Sequence, residues 1–130
     1  IEYSEQDPPI SPVVITTSNV SNIRTTSVKA GGDVTDSGGG TVSERGIVWD
    51  ESENPDVNDN KVEDESSGTG SYTVQITGLS PGTTYHVRAY AVNEDGTAYG
   101  DDIQFTTTRE VTGIFINMTG LFGNKIVVYK

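Results

Sequence analysis

Leu79-Ser80-Pro81-Gly82-Thr83-Thr84-Tyr85-His86-Val87-Arg88-Ala89-Tyr90-Ala91 contains the clearest turn and the clearest strand of the chain. From Tyr85 onward the residues alternate. Tyr85, Val87, Ala89 and Ala91 fall on one face, and His86, Arg88, Tyr90 and Val92 on the other, the period of two expected of a strand with one face in a core. Pro81-Gly82 supplies the turn ahead of it, since proline presets φ and glycine accepts φ > 0. A tyrosine just past such a corner can bury its ring and turn its hydroxyl back to backbone upstream, a device of two-sheet antiparallel sandwiches.

Upstream of this corner the pattern repeats. Ser71 to Thr77 alternates Tyr72, Val74 and Ile76 inward against Thr73, Gln75 and Thr77 outward, and Leu79 closes the core below the corner. Thr41 to Asp50 reads as a strand in which Ile47 shares a face with Trp49, the only tryptophan, expected to anchor the core between sheets, with a surface tryptophan that grips a sugar ring as the alternative. Thr25 to Thr35 places Val28, Ala30 and Val34 on one face, with Gly31-Gly32 permitting a bulge or a close backbone approach. Pro12 to Thr17 reads as a first strand at an edge, where a leading proline is tolerated. Residues 1–11, with Pro8-Pro9 and three acidic groups, form an extended polar arm.

Downstream, Asn93-Glu94-Asp95-Gly96 is a tight hairpin turn with glycine at the positive-φ position. A last strand runs from Thr97 to Thr107, interrupted near Gly100-Asp101, with Ile103 and Phe105 inward.

Composition narrows the function. At 130 residues the chain has room for one domain, able to bury roughly two-thirds of its extended surface. A formal net charge of −11 argues against nucleic acid, because phosphate binding needs clustered lysine and arginine. No run of 18 apolar residues exists, so no helical membrane span is expected. The absence of cysteine rules out disulfides and thiolate chemistry, and with a single histidine, His86, a zinc site lacks its usual ligands.

No serine sits in a nucleophile elbow, and Gly38-Gly39-Gly40 lacks the lysine and helix of a phosphate loop. Asp56, Asn58 and Asn60 mimic the first three ligands of a calcium loop. The match then fails, with Lys61 where glycine is required and Ser67 where a bidentate glutamate belongs. Residues 50–67 are thus read as an acidic surface loop. The expectation is a chain with no catalytic residues, no cofactor and no metal.

The corner stretch resembles that of fibronectin type III domains, and Gly38 to Trp49 is similar to the tryptophan-bearing strand of a subgroup common in Bacteroidetes surface proteins. Asn54-Pro55, Asp59-Asn60-Lys61, Gly68-Thr69-Gly70-Ser71-Tyr72, Asn93 to Gly100 and Phe105-Thr106-Thr107 extend the likeness from about Pro12 to Thr107. The resemblance implies an all-β fold, an immunoglobulin-like (fibronectin type III-like) two-sheet antiparallel sandwich over residues 12–108. It also implies a secreted or outer-membrane-surface bacterial module, with a secretion signal and a lipid anchor expected upstream of Ile1.

The tail is unlike the rest. Residues 109–130 hold Ile114, Phe115, Ile116, Met118, Leu121, Phe122, Ile126, Val127, Val128 and Tyr129. Leaving that many large apolar side chains in water forgoes on the order of 15 kcal/mol, at about 1.5–3 kcal/mol each. Two β-rich runs flank Gly120 to Asn124, so an extra C-terminal β-hairpin is expected, docked on this sandwich or added as strands to another chain.

Two functions follow from the resemblance. The first is a non-catalytic module for adhesion, protein–protein interaction or spacing, whose partner is another protein or a second copy of itself. The second is a carbohydrate-binding module, for which an exposed face with His86, Arg88, Tyr90 and Tyr99 is the candidate ligand contact.

Overall fold

The computed structural model describes residues 9–110, and these form eight strands without a helix. They are β1 (Val14–Thr17), β2 (Val28–Asp36), β3 (Glu44–Asp50), β4 (Asn60–Glu63), β5 (Gly70–Ile76), β6 (Thr84–Asn93), β7 (Gly96–Tyr99) and β8 (Ile103–Thr106). One sheet has the order β1-β2-β5. The other has the order β4-β3-β6-β7, with β8 continuing the edge along β6. Every pairing is antiparallel.

Alternation places the core. Tyr72, Val74 and Ile76 of β5 are buried while Ser71, Thr73 and Gln75 are exposed. In β6, Tyr85, Val87, Ala89 and Ala91 point into the same core. Val28, Ala30 and Val34 of β2 and Ile47 of β3 complete its centre, with Trp49 partly buried against it. Near the corner, Tyr85 stacks on Phe105 with ring centroids 5.8 Å apart. The small side chains matter too: a Cβ on Gly32 would lie 2.6 Å from the Cβ of Ala89 in the facing sheet. Gly31-Gly32 therefore serves close approach.

The corner forms as the sequence implies. The Tyr85 hydroxyl accepts a hydrogen bond from the Ser80 N–H at 2.9 Å, and Leu79 is buried below it. The interruption expected near Gly100-Asp101 is also present. It separates β7 from β8 and shifts the register against β6 by one residue, from Tyr90↔Tyr99 to Val87↔Ile103.

One element is a correction. Residues 50–67 are not loop throughout, because β4 pairs with β3 from Gly46↔Glu63 to Trp49↔Asn60. Asn-Lys-Val-Glu is a weak strand signal, with a single apolar residue in four. It forms because β3 offers an edge to pair with. Of the arm expected over residues 1–11 and the hairpin expected over residues 109–130, residues 1–8 and 111–130 lie outside the described residues. Of the stretch just before β1, the Ser11 N–H donates to the Gly38 carbonyl.

Candidate functional site

The outer face of the larger sheet brings the four candidate residues together. His86, Arg88 and Tyr90 alternate outward along β6, and Tyr99 pairs with Tyr90 from β7. Cross-strand neighbours on β3 are Asp50, Val48 and Gly46.

The face is not open. The stretch from Asn54 to Val57 lies against it and is fastened at several points. The Asn54 N–H donates to Asp102 Oδ2 at 2.7 Å, and the other oxygen of that carboxylate lies 2.8 Å from His86 Nδ1. The Arg88 guanidinium donates to the Pro55 carbonyl at 3.2 Å and to the Gly100 carbonyl at 3.3 Å. It also stacks over the Tyr99 ring, 4.2 Å from the centroid. The Tyr99 hydroxyl accepts from the Val57 N–H at 3.1 Å. Pro55 is fully buried as a result.

Tyr90 corrects the expected exposure. Its relative accessibility is 0%, because the ring lies against Gly46, where an added Cβ would come within 2.9 Å of Tyr90 Cε1. Its hydroxyl donates to Glu44 Oε2 at 2.6 Å, and Lys61 Nζ reaches the same oxygen at 2.9 Å. Burial, then the Glu44 bond, push the phenol's pKa upward. The same bond, followed by Lys61, holds Glu44 below its ordinary value, and Glu44 in turn raises Lys61.

A second polar cluster lies on the inner side. Arg45, 6% exposed, shares the inward parity of Ile47 and Trp49. It pairs with Asp64 at 2.9 Å and donates to the Gly68 and Thr69 carbonyls at 3.1 Å each. It also covers the Tyr72 ring at 4.8 Å. The Tyr72 hydroxyl crosses between the sheets to donate to the Gly46 carbonyl at 2.7 Å. Burial raises the Tyr72 pKa, with Arg45 opposing the shift. The sequence carried a signal for this cluster in the position of Arg45, two residues before Ile47 on a strand whose inward face is otherwise apolar.

The acidic loop uses its own oxygens. Asp56 Oδ1 accepts the Asn58 N–H, Asp59 Oδ2 accepts the Asp56 N–H, and the Asn60 amide donates to the Trp49 carbonyl. Among the described residues no cluster of three or more histidine, aspartate or glutamate side chains is arranged to hold a metal. None of their buried side-chain nitrogen or oxygen atoms lacks a partner.

A sandwich of three strands against five, with a tyrosine locking the corner, defines an immunoglobulin-like β-sandwich. Within that class, a family model described as Fibronectin type III domain matches residues 11–106, and the chain belongs to this family. Among solved structures it is similar to a human FNIII domain, the fourth of its protein, at 22% identity and a TM-score of 0.60, covering 87% of this chain and 92% of that one. It is also similar to the sensor domain of the anti-sigma factor RsgI4 in Pseudobacteroides cellulosolvens, at 21% identity and a TM-score of 0.53, covering 90% and 92%. At such identities the likeness shows the fold alone. No curated protein matches the chain.

Proposed function

We propose that this chain is a non-catalytic interaction module, presented on the outer membrane or secreted by a bacterium of the Bacteroidetes, that joins a protein partner or a second copy of itself through its C-terminal strands. One observation carries the reading. The polar groups of the outer face are bonded within the chain and covered by the stretch from Asn54 to Val57, which leaves sheet edges and the apolar tail as the contact elements. The subgroup motif from Gly38 to Trp49 supports the bacterial surface setting, and with it a lipid anchor upstream.

Carbohydrate binding is the weaker reading, because the Tyr90 ring is buried and the Tyr99 ring lies beneath Arg88, so neither offers a free face to a sugar. Light scattering of the full chain beside a chain ending at Thr108 tests the proposal. A full chain that is dimeric or larger, with a monomeric truncation, is the expected result. Two monomers differing only in melting temperature overturn assembly through the tail.

A further inference from the structure

The two sheets present four edges among the described residues, and three of them carry features that discourage pairing. Ahead of β1 stands Pro12, and its register slips between Val14 and Ile15. The four-residue β4 bears Lys61 and Glu63. The β7–β8 edge is broken around Gly100, with Asp101 and Asp102 at the break. Short length, charge, proline and bulges are the usual means by which edges avoid adding strands.

The β5 edge has none of these. It runs seven residues, Gly-Ser-Tyr-Thr-Val-Gln-Ile, without charge or proline, and its pairing with β2 is regular throughout. Among the described residues it pairs with no strand on its other side. Beside it lies a groove of about 320 Å³, lined by Thr73, Val74 and Gln75 of β5 and by Val62, Glu63, Asp64 and Glu65 across the gap. Asp64 is neutralised by Arg45 and Lys61 is shared between Glu44 and Glu63, so the rim keeps an acidic excess through Glu63 and Glu65.

We propose that β5 is the acceptor edge for the chain's own C-terminal segment, with Lys125-Ile126-Val127-Val128-Tyr129-Lys130 adding as a strand. This rests on the interaction-module reading above and names its surface. Three arguments select this occupant. Residues 111–130 contain two lysines and no acidic group in a chain whose formal net charge is −11, so their charge complements the groove rim. Their β-branched and aromatic residues suit a strand that lays alternate side chains over Val62 and Val74.

The third argument is reach. The described chain leaves β8 at the end of the sandwich where β5 also finishes, since the Thr108 N–H donates to the Arg24 carbonyl and the Leu79 N–H to that of Thr26. Twenty further residues span roughly 66 Å when extended, far more than the ~23 Å length of β5 at about 3.3 Å per residue. Pairing of two β5 edges between copies is disfavoured by comparison, because it brings two acidic rims together.

Cysteine cross-linking in the full chain tests this, and the absence of native cysteine makes it clean. Thr73→Cys or Gln75→Cys is combined with Ile126→Cys or Val127→Cys, so that both side-chain parities are sampled. Lys61→Cys on β4 serves as the control acceptor. Paired strands hold Cβ atoms near bridging distance, so a disulfide is expected with the β5 positions at least tenfold faster than with Lys61→Cys.

Equal rates at both edges, or none at either, overturn the proposal. Mass on a non-reducing gel separates the two levels of the argument. A bond within one chain upholds the β5 edge and removes self-assembly, whereas dimers by light scattering without a β5 bond remove the edge and uphold assembly. Far-ultraviolet circular dichroism of each reduced variant confirms that it is folded before rates are compared.

Discussion

The hydroxyl of Tyr85 accepts the backbone N–H of Ser80 at 2.9 Å, five residues upstream across the Pro81-Gly82 turn. It fixes the corner relative to the first residues of β6, while the ring packs on Phe105. Tyr85→Phe keeps the ring and orphans one half-buried N–H. A loss of about 1–2 kcal/mol is expected, read as a lower urea midpoint with an unchanged slope.

Arg45 is a buried cation whose removal strands several groups at once. Arg45→Ala leaves the Asp64 carboxylate and the Gly68 and Thr69 carbonyls without their donor, a cost on the order of 3 kcal/mol. Asp64→Asn keeps a side-chain acceptor near the guanidinium and is expected to cost less than half as much. Equal losses in urea unfolding show that Asp64, and not the carbonyls, carries the interaction.

Acid and alkali each weaken the tyrosine–glutamate pair, at opposite ends of the pH range. Glu44 has its pKa lowered in the fold, so its contribution is complete above the ordinary carboxylate value of 4.5 and is lost as pH falls through the depressed one. Tyr90→Phe removes the largest cause and is expected to flatten the fall in melting temperature on acidification. Tyr72 and Tyr90 have pKa values raised by burial, so their stabilising effect is present below the ordinary value of 10.0 and is withdrawn under stronger alkali. Ultraviolet titration is expected to show these two phenols ionising only together with unfolding.

Arg88 holds the roof of the outer face. Arg88→Ala releases the Pro55 carbonyl and the stack on Tyr99, at about 1–1.5 kcal/mol. The Val57 amide, bonded to the Tyr99 hydroxyl, is expected to exchange with deuterium roughly tenfold faster. The amides of β5 serve as the unaffected reference. Unchanged exchange at Val57 means that the loop is held by Asn54 and Asp102 instead.

Most of the sandwich is legible as period-two alternation, because a strand with one face in the core must alternate whatever its neighbours are. Tyr72, Val74 and Ile76 read correctly on that ground, as did Tyr85, Val87 and Ala89. Short β4 did not. Its pairing with β3 is a property of the available edge and leaves almost no trace in Asn-Lys-Val-Glu.

The candidate face shows the same division. Alternation put His86, Arg88 and Tyr90 together on the outer side of β6, and that is where they lie. Whether an outward residue meets solvent depends on what covers it. The burial of Tyr90 rests on Gly46 and Lys61 against its ring and on Glu44 at its hydroxyl, and the closure of the face rests on contacts between Asn54 and Asp102, 48 residues apart.

Fold class, the inward face of each longer strand and the corner follow from the order of residues, because local turn chemistry and alternating polarity act over a few residues. Tertiary structure alone decided which outward residues are covered, which buried charge finds a partner and which sheet edge stays unguarded. Those outcomes depend on segments far apart in the chain meeting at distances of about 3 Å, and no local pattern of residues encodes such meetings.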